Sequence, residues 1–116
     1  MNWNDVLAVG LALPEMEAAT SYGTPALKVR GTLVTRLRTE DDSLVLLEVP
    51  PDERDMLIAA DPETFHITPH YEGHAIVLAR LTALEPKRLR PFLLRRWRAV
   101  APKRLVARFE TVQVEA

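Results

Sequence analysis

One stretch, residues 86–108, constrains the fold of this chain more than any other, because it is strongly basic and must still pack against a core. It reads PKRLRPFLLRRWRAVAPKRLVAR, with nine Lys or Arg residues and no acid. The stretch also contains the core-forming residues Leu89, Phe92, Leu93, Trp97 and Val100. At helical spacing Leu89, Leu93, Trp97 and Val100 share one face, which predicts a closing helix that covers a sheet and carries most of its charge outside.

Two prolines divide this stretch. A proline deep inside a helix removes a hydrogen bond and crowds the preceding turn. We therefore expect a loose turn over residues 86–90 or a kink at Pro91, a firm helix over residues 91–100, and a short helix that starts at Pro102. Arg96 falls on the apolar side of the firm helix, where its stem would lie on the core and its guanidinium would pair with an acid.

The bulk composition describes an ordinary small protein. A chain of 116 residues with 47% apolar residues fits a single domain over residues 1–116, with residues 111–116 expected to be frayed. It has no cysteine, which excludes disulfides and thiolate metal sites. No apolar run is long enough to span a bilayer, and the acidic N-terminus lacks the basic region of a signal peptide. We expect a cytoplasmic protein without a membrane partner.

The net charge of −1 hides an asymmetry between the two parts of the chain. Residues 1–85 hold six basic and fourteen acidic side chains, whereas residues 86–116 hold nine basic and two acidic ones. This split allows two interpretations. The basic end could meet an external polyanion, or it could pair with the acidic part of its own chain or of a second copy.

The first third of the chain predicts a helix and a hairpin. Apolar residues at helical spacing indicate a helix over residues 3–13, and the alternation over residues 27–38 indicates two strands. An odd-length loop, Arg30-Gly31-Thr32, with Val29 opposite Leu33, would place the apolar side chains on one face, and Gly31 would supply a positive φ. The other face would then carry a basic patch of Lys28, Arg30, Arg36 and Arg38, unless these are simply solvated charges.

The middle of the chain predicts three more strands and a helix. Residues 43–49 (SLVLLEV) are apolar on both faces, as in a central strand. Pro51 suits the first turn of a helix with an apolar stripe of Met56, Leu57 and Ala60. Residues 64–68 and 75–82 indicate strands on either side of a loop, with Arg80 at a strand end or paired with an acid.

The element order predicts the fold class. It is α-β(3)-α-β(2)-α, and no connection within a strand group requires a parallel crossover. We expect a two-layer α+β domain in which helices cover one face of a five-stranded antiparallel sheet.

Three segments of the chain resemble the MmcQ/YjbR family of small bacterial proteins. They are TSYGTPALKVRGTLVTRLR, ADPETFHITPHYEGHAIVLARL and WRAVAPKRLVA, and the resemblance extends from the first helix to about Arg108. The matching signature residues are Tyr22, Gly23, Pro25, Gly31, Pro69, His70, Tyr71 and Gly73. The resemblance implies an antiparallel α+β fold related to secretion chaperones, and DNA binding through a "double wing" of sheet and loops. It implies no catalytic residues.

Catalytic and metal-binding patterns are weak. His66, His70 and His74 are spaced by four, but Pro69 and Gly73 exclude the helix that would align them. We regard them as weak candidates for a Zn²⁺ or Fe²⁺ site and expect hydrogen-bonding histidines instead. No nucleophile elbow and no glycine-rich phosphate loop is present, so we expect neither an enzyme nor a cofactor.

Nucleic-acid binding has the most support from the residues themselves. The candidate phosphate contacts are Lys28, Arg30, Arg36, Arg38, Arg88, Arg95, Arg98, Lys103 and Arg104. Tyr22, Tyr71 and Trp97 are the aromatic residues that could stack, although Trp97 fits the core better. The leading hypothesis is DNA binding; the alternative is a protein-interaction or homodimerisation module that uses the basic helix.

Overall fold

The structure is a computed structural model that describes the backbone of residues 1–115 and the side chains of residues 1–111. The described helices are α1 (Trp3–Gly10), α2 (Pro51–Ala60), α3 (Pro86–Val100) and α4 (Lys103–Glu115). The strands are β1 (Met16–Ser21), β2 (Thr24–Val29), β3 (Thr32–Arg38), β4 (Ser43–Leu47), β5 (Phe65–His66) and β6 (Ile76–Arg80). A single 3₁₀ turn covers Pro69–Tyr71.

The six strands form one sheet in the order β1-β2-β3-β4-β6-β5, and all neighbours are antiparallel. This confirms the predicted α+β class and the central position of β4. The predicted number of five strands is wrong by one, because no strand was predicted between the first helix and residue 27, where β1 lies. Its sequence, MEAATS, is largely exposed at the sheet edge and therefore lacks the apolar alternation that indicates a strand.

The turn between β2 and β3 differs from the expected odd-length loop. Val29 pairs with Thr32, so the loop has two residues, Arg30 and Gly31. Both have positive φ, 48° and 83°, as the type I′ turn of a tight hairpin requires, which confirms the prediction for Gly31. Two-residue loops with these dihedrals match the twist of the flanking strands, and this preference outweighs the apolar pattern that suggested a longer loop.

A β-bulge corrects the register farther along the same strand pair. Lys28 pairs with Leu33, but the next pair is Leu27 with Thr35, so Val34 is the extra residue of β3. Val34 is buried in the core, whereas Leu33 lies on the other sheet face. The bulge therefore reverses the expected positions of these two side chains and leaves the rest of β3 in the predicted orientation.

The main core lies between the sheet and the helices. Alternate residues of the central strands enter it, including Leu44 and Leu46 of β4 and Val77 of β6. All four helices contribute apolar side chains to it, among them Val6 of α1 and Trp97 of α3. The predicted burial of Trp97 is confirmed, and its Nε1 donates to the Pro14 carbonyl at 2.9 Å. The other sheet face, called the outer face below, is not covered by these helices.

Helix α3 is continuous, so the expected loose turn over residues 86–90 is wrong. Pro91 lies inside the helix, at its sixth position. Its missing N–H deprives only the Lys87 carbonyl of a helical donor, and burial of Leu89, Leu93 and neighbouring side chains offsets that cost. The predicted apolar face of this helix is confirmed.

Three other helix predictions need adjustment. Helix α1 ends at Gly10 rather than near residue 13.

In α2, Met56 is 72% exposed, although it was predicted to belong to the apolar stripe. Arg54 is only 7% exposed and donates to the Glu72 and His74 carbonyls, so a different side of α2 faces the interior. The backbone of α4 continues to Glu115. Fraying was expected for residues 111–116. Apart from Thr111, their side chains lie outside the part of the chain that the structure describes.

Candidate functional site

Three candidate cations lie on the outer face of the sheet. Lys28 belongs to β2, and Arg36 and Arg38 belong to β3. They alternate with Leu27 and Thr35, which are fully buried on the core side. The sheet therefore presents part of the predicted basic patch on the face that the helices leave open.

An open groove of about 430 Å³ lies on this face, and we call it the outer groove. Apolar side chains form its floor: Val45, Leu47 and Ile76. Its walls are Tyr22, Leu33, Arg36, His70 and Tyr71. Leu33 reaches the groove because the β-bulge turns it away from the core. A surface depression with an apolar floor, aromatic walls and one guanidinium is suited to binding a small planar anionic group.

Among the described residues that line the outer groove, Arg36 is the only charged one. Its Nη2 donates a hydrogen bond to the Tyr71 hydroxyl, and its guanidinium carbon lies 5.6 Å from the centroid of the Tyr22 ring. Among the described side chains it forms no ion pair with a carboxylate. The aromatic rings thus hold the guanidinium in place without neutralising its charge.

The neighbouring Arg38 is neutralised instead. Its Nε lies 2.9 Å from Glu40 Oε2, and its Nη1 lies 3.0 Å from Asp41 Oδ2. These two acids belong to the turn that follows β3. Arg38 consequently contributes little net positive charge to the outer face.

Asp41, Ser43 and His66 form a cluster beside Arg38. Ser43 Oγ lies 2.9 Å from His66 Nε2, and Asp41 Oδ2 lies 3.6 Å from the same nitrogen. A catalytic triad requires the serine and the acid on opposite ring nitrogens, so this arrangement does not activate the serine. Burial lowers the pKa of His66, and the positive charges of Arg80 and Arg38 lower it further against the opposing effect of Asp41.

The three histidines do not converge on a common point. His66 bonds to Ser43, whereas His70 is exposed and packs edge-on against Tyr71 at 4.7 Å between ring centroids. His74 is also exposed. Within residues 1–111, no group of three His, Cys, Asp or Glu side chains could hold a metal ion.

Arg80 was predicted to lie at a strand end or to pair with an acid, and it lies at a strand end. It is the last residue of β6 and donates to the carbonyls of Pro62 and Glu63 at 3.0 and 3.2 Å. The strand-end alternative is the one that the structure contains.

The arginines of α3 are largely paired with acids of the same chain. Arg88 lies 2.6 Å from Asp61, and Arg98 lies 2.9 Å from Glu110. Arg95 makes a two-pronged contact with Glu53, with distances of 2.8 and 3.0 Å. In the turn after β2, Arg30 is similarly held by Glu15 at 2.8 Å.

Three ion pairs join the basic part of the chain to its acidic part, as the second of the two interpretations expected: Arg88–Asp61, Arg95–Glu53 and Arg96–Glu48. The Arg30–Glu15 and Arg98–Glu110 pairs each lie within one part. Five of the nine candidate cations have a carboxylate partner: Arg30, Arg38, Arg88, Arg95 and Arg98. Among the described side chains, the four without one are Lys28, Arg36, Lys103 and Arg104.

Lys103 and Arg104 form a second, separate cationic surface at the start of α4. Both are exposed. Arg104 and Arg108, with Ala107 and Thr111, line a shallow depression on the surface of this helix. Since Leu105 and Val106 of the same helix pack toward the core, the cations lie on its solvent side.

The sequence named most residues of the outer groove but not their arrangement. Tyr22 and Tyr71 were recognised as available aromatic residues, and Arg36 as a cation. The contact between Arg36 and Tyr71 joins residues 35 positions apart, and no local pattern indicates such a pairing. Leu33 was assigned to the core because the bulge leaves no signal in the apolar alternation.

No helix in the described part of the chain has the length and apolar character needed to cross a membrane.

The fold and the outer groove define a two-layer α+β protein in which a basic helix closes one face of an antiparallel sheet. On the other face, Tyr71 and Ile67 pack against buried residues of β4 and β6. The family model for YjbR matches residues 11–99, from the end of α1 to the end of α3. The chain belongs to the YjbR family, which confirms the resemblance seen in its sequence.

Several uncharacterised proteins of mycobacteria are similar to this chain. One is from Mycobacterium bovis and two are from strains of Mycobacterium tuberculosis. Each is 29% identical over 121 residues, and the alignment covers 92% of this chain and 94% of the relative. No solved structure matches the chain significantly.

Proposed function

We propose that this protein binds DNA through phosphate contacts of basic side chains and performs no chemistry of its own. The observation that supports this most is the location of the candidate cations without a carboxylate partner among the described side chains. Lys28 and Arg36, both half-buried, lie on the outer face, and Lys103 and Arg104, both exposed, lie on α4. Such side chains can neutralise phosphates and give affinity without reading the base sequence.

The ion-paired arginines are weaker candidates for phosphate contacts. Arg95, for example, would have to give up both of its bonds to Glu53 before it could bind a phosphate in the same way. The exchange of one charged partner for another yields little net free energy at an exposed site. We therefore reduce the proposed interface from nine cations to the four that have no carboxylate partner among the described side chains: Lys28, Arg36, Lys103 and Arg104.

A salt titration tests the proposal. Fluorescence anisotropy of a labelled short duplex, measured at several NaCl concentrations, should show that affinity falls as salt rises. The slope of log K against log salt concentration should be about −0.9 for each phosphate contact. Binding that is absent at low salt, or that has no salt dependence, would rule the proposal out.

Matched double variants identify the surface that is used. One double variant carries both Lys28→Gln and Arg36→Gln. The other carries both Lys103→Gln and Arg104→Gln. The control is Arg30→Gln with Arg98→Gln, which removes the same charge from two ion pairs. The double variant that removes the cations in contact with DNA should lower the salt slope by the amount expected for about two phosphate contacts. Equal losses in all three variants would mean that only net charge matters.

A second candidate function is association with another protein or with a second copy of this chain. The basic helix is a poorer surface for it than expected, because four of its five arginines already pair with acids of the same chain: Arg88, Arg95, Arg96 and Arg98. The observation that favours association is the free edge of β1, which pairs only with β2 and carries Glu17 as its one charged residue. Light scattering after size exclusion tests it: a strict monomer at high concentration contradicts self-association through this edge.

A further inference from the structure

The outer groove has a binding capacity that phosphate contacts alone do not use. Its volume of about 430 Å³ lies within the usual range of small-ligand sites. Its floor is apolar, and the side chains of Tyr22 and Tyr71 stand at its walls. A phosphate group would need only a surface cation, so the apolar floor and the aromatic walls indicate a ligand with a planar apolar part.

The guanidinium of Arg36 supplies the charge selectivity of the groove. An arginine has five N–H donors, and the described contacts of Arg36 include one hydrogen bond, to Tyr71. Within residues 1–111, no carboxylate lines the groove. Because Arg36 lines the same groove as Val45, Leu47 and Ile76, the arrangement is complementary to an anion attached to a planar ring.

Tyr22 is held open to solvent by its backbone conformation. It is 92% exposed and, with a φ of 53°, occupies the first position of the two-residue turn between β1 and β2. Gly23, with a φ of 76°, completes the turn. The ring packs beside Arg36 rather than in the core, so its free surface is available for stacking.

We propose that the outer groove holds one unstacked nucleotide of single-stranded DNA, with the base against Tyr22 and the groove floor and the phosphate on Arg36. This assignment rests on the proposed DNA-binding function and specifies its ligand. A base within a duplex is paired and stacked on both sides, so it cannot enter the groove. A single strand presents its bases freely, and stacking on an aromatic side chain tolerates any base.

The test compares three probes: labelled oligothymidylate, a labelled duplex and free thymidine monophosphate. The first variant is Tyr22→Asn, which removes the ring and suits a turn position with positive φ. It should lower the affinity for oligothymidylate about tenfold and leave both duplex affinity and salt slope unchanged, because stacking is not an ionic contact. Tyr22→Phe, which keeps the ring, should bind as the unmodified protein does.

Arg36→Gln should also weaken oligothymidylate binding and should lower the salt slope by about 0.7 in log K, the value for one phosphate contact of a single strand. Arg90→Gln is its matched control. It removes the same charge from α3, which packs on the covered face of the sheet, and should leave single-strand affinity within about twofold of the unmodified protein.

Each remaining outcome decides one or both of the two proposals. If duplex binds with its usual salt slope but Tyr22→Asn binds oligothymidylate normally, the groove assignment is wrong and the proposed function stands. If neither the duplex nor the single strand binds, both are wrong. If thymidine monophosphate binds as tightly as the strand, the groove is a free-nucleotide site and the single-strand assignment is overturned.

Discussion

Arg96 on α3 and Glu48 after β4 form an ion pair, with 2.7 Å between Nη1 and Oε1. The same guanidinium donates through Nε to the Leu33 carbonyl of β3 at 3.0 Å. One side chain thus joins the closing helix to two neighbouring strands. The sequence predicted an acidic partner for Arg96 from its place on the apolar side of α3, and the structure confirms it.

Arg96→Met should lower the free energy of unfolding by about 1–3 kcal/mol, because it leaves a partly buried carbonyl and a carboxylate without their donor. Urea denaturation measures this change through the midpoint of the transition. Arg90→Met, an exposed change on the same helix, is the matched control and should stay within about 0.5 kcal/mol of the unmodified protein. Equal losses in the two variants would show that helix α3 is sensitive to any such change.

Gly10→Ala should destabilise the protein by about 1–3 kcal/mol through overpacking. A Cβ at this position would overlap with Cδ1 of the fully buried Leu27, so the Leu27 side chain, the helix or the sheet must shift. Gly73→Ala is the control, since a Cβ there meets no atom within 4 Å. Thermal unfolding of both variants tests the prediction, which is wrong if Gly10→Ala melts with the control.

His66 should make stability depend on pH in mildly acidic solution. Burial and the charges of Arg80 and Arg38 lower its pKa in the folded state, while Asp41 opposes them. The unfolded chain then binds a proton first as the pH falls through about 6.5, so the free energy of unfolding decreases below that pH until the folded state is also protonated. His66→Gln should flatten this part of the curve.

Urea denaturation at closely spaced pH values between about 5 and 8 checks the effect of His66. Carboxylates with lowered pKa, such as Glu15, Glu40 and Asp61, act at lower pH and in the same direction, so they do not interfere with this range. A variant that retains the full pH dependence would assign it to another group.

Gly31→Ala should cost about 1–2 kcal/mol, because its φ of 83° places a Cβ against the following carbonyl. Gly31→Asn should cost less, since asparagine tolerates the left-handed region better than alanine. The comparison tests the backbone effect, because a Cβ at this position meets no atom within 4 Å. Equal losses would contradict the two-residue turn.

The elements best predicted from sequence are those with a strong local pattern. The apolar face of α3 and the two-sided burial of β4 follow from periodicity, which depends only on neighbours along the chain. The continuity of α3 through Pro91 was not predictable in this way. Whether a helix tolerates a proline depends on how much burial its other side chains gain, and that is a tertiary quantity.

The candidate site was predicted only as a set of charges. The sequence identified the nine cations but not which of them are neutralised. Arg95 meets Glu53 across 42 positions, and Arg36 meets Tyr71 across 35. The spacing of charges along a chain carries no information about contacts of this kind.

By itself, the sequence determined a two-layer α+β fold of the YjbR family, with a basic closing helix that packs its apolar face on an antiparallel sheet. Only the tertiary structure decided that β1 forms the sheet edge, that a bulge turns Leu33 outward, and that Arg36 keeps its charge beside Tyr22. The physical reason is range. Periodic burial is written into successive residues, whereas register and ion pairing depend on which distant segments the fold brings within a few ångströms.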